Sequence, residues 1–108
     1  NLESAEAYAL ESIHLYDGIE YKYPKCTDED AFIDYLSNLE MFRISEYYNF
    51  LNDENRMNCY FIGNEKAIGV TLTEHSIRLT YLGEKNLEDE MFYLKSDVDW
   101  KYLESLLE

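Results

Sequence analysis

The stretch MNCYFIGNEKAIGVTLTEHSIRLTYL, residues Met57–Leu82, is the clearest structural signal in the chain. In Ile68–Thr73, and again in Ser76–Tyr81, large apolar side chains alternate with small or polar ones. A period of two is typical of a strand that buries one face. Gly-Asn at 63–64 and Glu-His at 74–75 suit short hairpin turns. The stretch therefore predicts a meander of three antiparallel strands.

Residues 2–16 predict an amphipathic helix ahead of the meander. Their apolar residues recur at steps of three and four, and the glutamates lie off that stripe. The apolar positions are Leu2, Ala5, Ala9, Ile13 and Tyr16. Asp-Gly at 17–18 then indicates a turn, and residues 19–23 alternate like a short strand that ends at Pro24.

A second helix is expected to begin at Thr27, whose hydroxyl can accept a hydrogen bond from the amide of Asp30. Its apolar face is formed by Phe32, Ile33, Leu36 and Leu39. The polar stripe changes phase near Asn38, which predicts a kink or break there. Residues 41–51 again have helical spacing, and their aromatic content leaves a strand open as the alternative.

The end of the chain adds one strand and one helix. Met91–Lys95 is expected to form a fourth short strand, and Asp97 is expected to cap a final helix. Together the elements predict an α+β fold, in which a small antiparallel meander of three to four strands packs against three or four helices. Residues 1–108 are expected to form a single domain.

The chain is strongly acidic, with 23 acidic residues against 9 lysines and arginines and a net charge of −14. Solubility alone asks for a net charge of about 2 to 8 in magnitude on a small domain. The phosphates of nucleic acid and of anionic membranes would be repelled. We therefore expect a basic protein as the partner, with no direct contact to nucleic acid and none to membrane.

The two cysteines, Cys26 and Cys59, are far apart in the sequence and have no CxxC spacing. We expect reduced thiols in a cytoplasmic protein. The sequence has no apolar run of the about 20 residues that a membrane-spanning helix needs. Its first residues are acidic rather than basic, so they do not have the pattern of a signal peptide.

Signals for catalysis or metal binding are weak. Cys59 could act with His75 as nucleophile and base across neighbouring strands, but no glycine-rich elbow exposes this cysteine. The acidic clusters at 28–30 and 53–55 lack EF-hand spacing, and the sequence contains no HExxH or P-loop motif. We expect no catalytic residue, no metal and no cofactor, and a small enzyme stays as the less favoured alternative.

Acidic residues occur together with an excess of tyrosines, of which there are eleven. Tyrosine is a frequent anchor in protein interfaces because its ring is large and rigid and its hydroxyl forms hydrogen bonds. Three acidic patches are candidate partner-binding sites. The first, which combines acids with tyrosines, is Glu46, Tyr47, Tyr48, Asp53 and Glu54. The second is Glu84, Glu88, Asp89 and Glu90. The third is Asp28, Glu29, Asp30 and Asp34.

In charge and size the chain resembles small protein inhibitors that imitate nucleic acid, such as anti-restriction, anti-CRISPR and glycosylase-inhibitor proteins. It is also similar in these respects to immunity proteins that block toxic nucleases. The resemblance implies an inhibitor whose carboxylates take the place of phosphates on a basic nucleic-acid-binding or catalytic surface of a target protein. The alternative is a non-catalytic interaction or adaptor domain. Both a monomer and a homodimer are left open.

Overall fold

The computed structural model describes residues 8–44, 55–64, 66–83 and 87–108. Seven strands and two helices lie in these ranges. The strands are β1 (Ala9–Tyr16), β2 (Tyr21–Lys22), β3 (Met41–Arg43), β4 (Arg56–Ile62), β5 (Ala67–Leu72), β6 (Ser76–Leu82) and β7 (Glu90–Leu94). The helices are α1 (Glu29–Ser37) and α2 (Trp100–Ser105).

The seven strands form one antiparallel sheet in the order β2-β1-β4-β5-β6-β7-β3. The predicted meander is its centre, as β4, β5 and β6, and β7 is the predicted fourth strand. Leu72 pairs with Met57 on one side and with Ile77 on the other, so these three side chains share a face. The predictions of the meander and of a strand near 91–95 are confirmed.

The helices cover one face of the sheet, and the hydrophobic core lies between them. A row of cross-strand partners runs through this core, formed by Ile13, Cys59, Val70 and Leu79. Phe32 and Leu36 of α1 and Leu103 of α2 are buried in the same cluster. Burial of one such side chain contributes about 1.5–3 kcal/mol. This apolar layer therefore holds the helices on the sheet.

The predicted fold class is wrong. We expected three to four strands packed against three or four helices, whereas the described chain has a seven-stranded sheet and two short helices. β1 and β2 extend the meander on one side, and β7 and β3 extend it on the other. No helix in the described part of the chain is both long enough and apolar enough to cross a membrane.

The helix expected at residues 2–16 accounts for much of this error. Ala9–Tyr16 is strand β1, which pairs with β4, and residues 2–7 lie outside the described ranges. The register of the pairing shifts between Leu10 and Ser12, as at a β-bulge. The bulge interrupts the period of two that would have indicated a strand. Spacings of three and four residues then remain visible in the sequence and imitate a helix.

The helix expected at residues 41–51 is also wrong where it can be compared. Met41–Arg43 is strand β3, which pairs with β7 at the edge of the sheet, and residues 45–54 lie outside the described ranges. A strand this short is stabilised by a partner far away in the sequence, so local spacing does not predict it. The break predicted near Asn38 is confirmed, because Asn38 is the C-cap of α1.

Both predicted N-caps are displaced by one or two residues. Asp28, rather than Thr27, caps α1, since its carboxylate accepts a hydrogen bond from the amide three residues later at 3.0 Å. The Thr27 hydroxyl instead donates to the carbonyl of Leu106 at 3.0 Å. Asp99, rather than Asp97, caps α2, since its carboxylate accepts a hydrogen bond from the amide of Tyr102 at 3.1 Å.

The carboxyl-terminal residues join the two helices into one layer. The amide of Glu108 donates to the carbonyl of Lys25 at 2.8 Å, beside a β-bridge between Cys26 and Leu107. The amide of Asp99 donates to the hydroxyl of Tyr35 of α1 at 2.8 Å. These hydrogen bonds connect the segment before α1 to the end of α2, and Tyr35 of α1 to the start of α2, on the same face of the sheet.

Gly63 and Gly69 provide a matched test of packing around β4. A Cβ atom at Gly63 would lie 2.6 Å from ring atoms of Tyr8, whereas one at Gly69 would meet nothing nearer than 3.5 Å. We expect Gly63→Ala to lower the free energy of unfolding by about 1–3 kcal/mol, as overpacking does. Gly69→Ala should leave it unchanged or raise it by up to about 1 kcal/mol, because alanine restricts the unfolded chain. Urea denaturation measures both changes.

A Tyr8→Ala background serves as the control for this contact. Without the ring, Gly63→Ala should cost little, because the added methyl group no longer meets ring atoms. A penalty for Gly63→Ala that persists undiminished in the Tyr8→Ala protein would contradict the contact between Tyr8 and Gly63.

Candidate protein-binding site

The predicted partner-binding residues fall into two groups. Those outside the described ranges are Glu46, Tyr47, Tyr48, Asp53, Glu54 and Glu84. Those that the structure describes are Asp28, Glu29, Asp30, Asp34, Glu88, Asp89 and Glu90. The patch before the meander therefore stays a prediction, and the other two patches can be compared with each other.

The carboxylates next to β7 are engaged by arginines. Asp89 accepts hydrogen bonds from Nε and Nη2 of Arg78, at 2.9 and 2.6 Å. Glu90 forms an ion pair with Arg43 and also accepts a hydrogen bond from a tyrosine hydroxyl. Glu88, by contrast, forms no ion pair with a described residue. This patch therefore offers less unpaired negative charge than its sequence suggests.

The carboxylates at the start of α1 and within it are exposed and form no ion pair in the part of the chain that the structure describes. Four acids form no ion pair with any residue that the structure describes: Asp28, Glu29, Asp30 and Asp34. Asp28 caps the helix, and Glu29 and Asp30 stand in the first turn, where the helix dipole favours negative charge. Asp34 lies beyond that turn, so the dipole does not explain its position.

The last helix extends this negative surface. Asp99 and Glu104 are exposed, and within the described ranges neither forms an ion pair. Glu104 stands in the last turn of α2, where the helix dipole disfavours a carboxylate. Helix stability alone therefore does not account for this glutamate.

Two tyrosines lie between the acidic groups of the two helices. The ring centroids of Tyr35 and Tyr102 are 5.4 Å apart, and Tyr102 remains 40% exposed. Acids and aromatic rings thus share one surface that spans α1 and α2. We call it the helical acidic surface, and define it as Asp28, Glu29, Asp30, Asp34, Tyr35, Asp99 and Tyr102.

Sequence reasoning found only the α1 part of this surface. The acids of α1 are nearly consecutive, so they form a patch in the sequence as well as in the structure. Asp99 joins them only because α2 packs beside α1 through Tyr35 and Tyr102. The available signal was the recurrence of acids around a tyrosine in the final predicted helix.

The structure does not bring Cys59 and His75 together as nucleophile and base. The Cys59 thiol is buried in the core and lies 3.9 Å from the carbonyl oxygen of Val70. Its burial raises the pKa of the Cys59 thiol to about 12. His75 is exposed in the turn between β5 and β6, and its Nδ1 lies 3.0 Å from Oδ1 of Asp97.

Among the described residues, neither His14 nor the acidic cluster at 28–30 shows an arrangement for metal, and Asp53 and Glu54 of the other cluster lie outside the described ranges. The ring of His14 packs edge-on against Tyr23 and Tyr60, with centroids 4.9 and 5.3 Å away. In residues 8–44, 55–64, 66–83 and 87–108, no group of three or more His, Cys, Asp or Glu side chains is placed to hold a metal ion.

No family model matches the chain, and no curated protein or solved structure is significantly similar to it. Inference about function therefore rests on the helical acidic surface and on the charge of the chain.

The two thiols should differ sharply in reactivity. Burial raises the pKa of both, but Cys26 is only partly buried whereas Cys59 lies wholly in the core. We expect iodoacetamide to alkylate Cys26 slowly in the native protein at neutral pH, and Cys59 only after unfolding. Mass spectrometry of the labelled peptides measures this. Rapid labelling of Cys59 in the native protein would contradict its burial.

The burial of Cys59 also predicts a pH dependence of stability. Unfolding returns its pKa from about 12 to the ordinary value of 9.0. Between these pH values the Cys59 thiol is ionised in the unfolded chain and neutral in the folded one. The contribution of its burial to the free energy of unfolding is therefore complete below pH 9.0 and declines as the pH rises towards 12. The stability difference between wild type and Cys59→Ala should narrow there, by at most about 1.4 kcal/mol per pH unit. A constant difference across this range, measured by urea denaturation, is the contrary result.

Proposed function

We propose that this protein is an inhibitor that binds the basic nucleic-acid-binding or catalytic surface of another protein, such as a nuclease or a CRISPR or restriction effector. It excludes nucleic acid from that surface by occupying it. It acts by binding alone, without catalysis, metal or cofactor, and contacts neither nucleic acid nor membrane.

The helical acidic surface is the observation that carries this proposal. Its carboxylates are exposed and form no ion pairs within the described ranges. Like charges on one surface repel each other and destabilise the folded state. Asp34 adds to this repulsion without support from a helix dipole. Attraction of a basic partner gives a reason for this position that stability does not.

The composition of the surface suits a groove that evolved to hold nucleic acid. Such a groove presents lysine and arginine to phosphates and often stacks aromatic rings on bases. Carboxylates form charge-assisted hydrogen bonds with the same basic side chains. The exposed ring of Tyr102 offers a flat surface where a base or sugar would lie. Opposite charges would also speed association by steering the two proteins together.

A cytoplasmic location is part of the proposal. Cys26 and Cys59 are both free thiols, which suits a reducing environment.

The salt dependence of binding tests the electrostatic basis of the proposal. The tagged protein is presented at low salt to an extract of its source cells, and the proteins that elute as salt rises are identified by mass spectrometry. We expect basic nucleic-acid-binding proteins in the eluate, because salt screens attraction between exposed charges. Binding to purified candidates that is insensitive to salt would contradict the proposal.

Two double variants of equal charge test which surface makes the contact. Asp30→Asn with Asp34→Asn acts on the helical acidic surface, and Glu20→Gln with Glu88→Gln removes two exposed carboxylates elsewhere. The first should slow association and weaken binding to the captured target at least about tenfold, since each hydrogen bond to a charged group is worth about 1.5–3 kcal/mol. The second should change the affinity by no more than about twofold, since exposed charges contribute little outside a contact. Surface plasmon resonance measures both.

The outcomes distinguish the helical acidic surface from the other candidate binding surfaces. Equal weakening by both variants would indicate that net charge, rather than the helical acidic surface, determines binding. A third variant, Glu46→Lys with Asp53→Lys and Glu54→Lys, tests the patch before the meander. A strong loss in this variant, with none in the α1 variant, would move the contact to that patch.

A further inference from the structure

The sheet has a second face, on the side away from the helices, which we call the open face. Cross-strand register assigns to it the even-numbered residues of β4 and β6 and the odd-numbered residues of β5 and β7. Ser12, His14 and Tyr16 of β1 lie on it as well. Residues of the open face do not belong to the hydrophobic core of the described chain.

Large apolar side chains are exposed on the open face. Five that the structure leaves exposed belong to it: Tyr21, Phe42, Ile62, Leu82 and Tyr93. Their exposed fractions run from 38% for Tyr93 to 51% for Phe42. They reach from β2 at one edge of the sheet to β3 at the other. Exposed apolar side chains gathered on one face indicate a contact surface rather than a solvated one.

The open face also differs from the rest of the molecule in charge. Of the 23 acidic residues, only Glu11 and Glu90 lie in the seven described strands. The register places Glu90 opposite Leu79 on the helical face, and Glu11 stands at the bulge of β1, where the pairing assigns it to neither face. The nearby Asp89 reaches Arg78 of the open face and forms an ion pair with it. A face that only met water would carry acids like the other exposed surfaces of this chain. The scarcity of acids among the residues that the register assigns to this face therefore points to a contact that excludes unpaired charge.

We propose that the open face binds the open face of a second copy of this chain. With a net charge of −14, two copies repel each other wherever their carboxylates meet. Apart from Glu11 at the bulge of β1, two open faces bring no strand carboxylate against each other, and they bury apolar side chains from both copies. A basic partner, in contrast, is attracted by the acids of the helices. The two surfaces of the molecule thus select different partners.

The size of the open face suits such a dimer. Strands lie about 4.8 Å apart and rise about 3.3 Å per residue, so seven strands of mostly five to eight residues give a face of roughly 30 by 20 Å. The side-chain area above it is of the same order as the about 800 Å² that each partner buries in a typical stable interface. Two sheets that stack face to face pack about 10 Å apart, as in β-sandwiches.

Sedimentation equilibrium of the whole protein tests the dimer. We expect a mass twice that of the chain, and a dimer that tightens as salt rises, because salt screens the net repulsion. The salt effect has the opposite sign to that on target binding, so failure of one proposal can be told from failure of the other. A monomer at every protein concentration in high salt would overturn the dimer. The proposal would then be wrong even if a different protein binds the open face.

Three variants of equal charge locate the interface. Phe42→Glu and Leu82→Glu place a carboxylate on the open face on different strands, and Leu87→Glu places one at an exposed residue outside the sheet. Each of the first two should weaken dimerisation at least tenfold, while the far-ultraviolet circular dichroism stays that of wild type. Leu87→Glu should dimerise as wild type does. If one sheet variant misfolds, the other still measures how a carboxylate on the open face affects dimerisation. Equal dimerisation in all three variants would overturn the assignment.

Discussion

The burial of one face of the sheet is the constraint on which the rest of this structure depends. Ile13, Cys59 and Val70 stand side by side on three strands and are almost fully buried under the helices. Successive strand residues point to opposite faces, so a slip of one residue would exchange the two faces. The buried row thereby determines the register of the central strands, the side on which the helices pack, and the residues left on the open face.

The acidic residues follow this division into two sides. Next to β7, arginines pair with Asp89 and Glu90, so these charges are largely compensated. On the helices, carboxylates such as Asp34 and Glu104 stand unpaired within the described ranges, and the strand register assigns no acid to the open face. Net charge alone would make the whole surface attractive to a basic partner. The folded chain concentrates that attraction on the helices and leaves the opposite side for an apolar contact.

The sequence predicted the strands whose alternation is uninterrupted, such as Ile68–Thr73, because burial of one face imposes a period of two. It failed at β1, where the bulge between Leu10 and Ser12 hides that period, and at β3, whose pairing partner β7 is remote in sequence. The candidate site shows the same limit. The consecutive acids of α1 were found, whereas Asp99 at the start of α2 joins them only through tertiary packing.

An NMR titration of the isotope-labelled protein with decalysine would locate the surface that attracts cations most strongly. Decalysine offers positive charge and little shape, so its binding reports the carboxylates themselves. We predict that the backbone amide signals of Asp30, Asp34 and Asp99 shift first, and that added salt reverses the shifts. If instead the largest shifts belong to the open face of the sheet or to residues 88–90, the helical acidic surface is not the docking site.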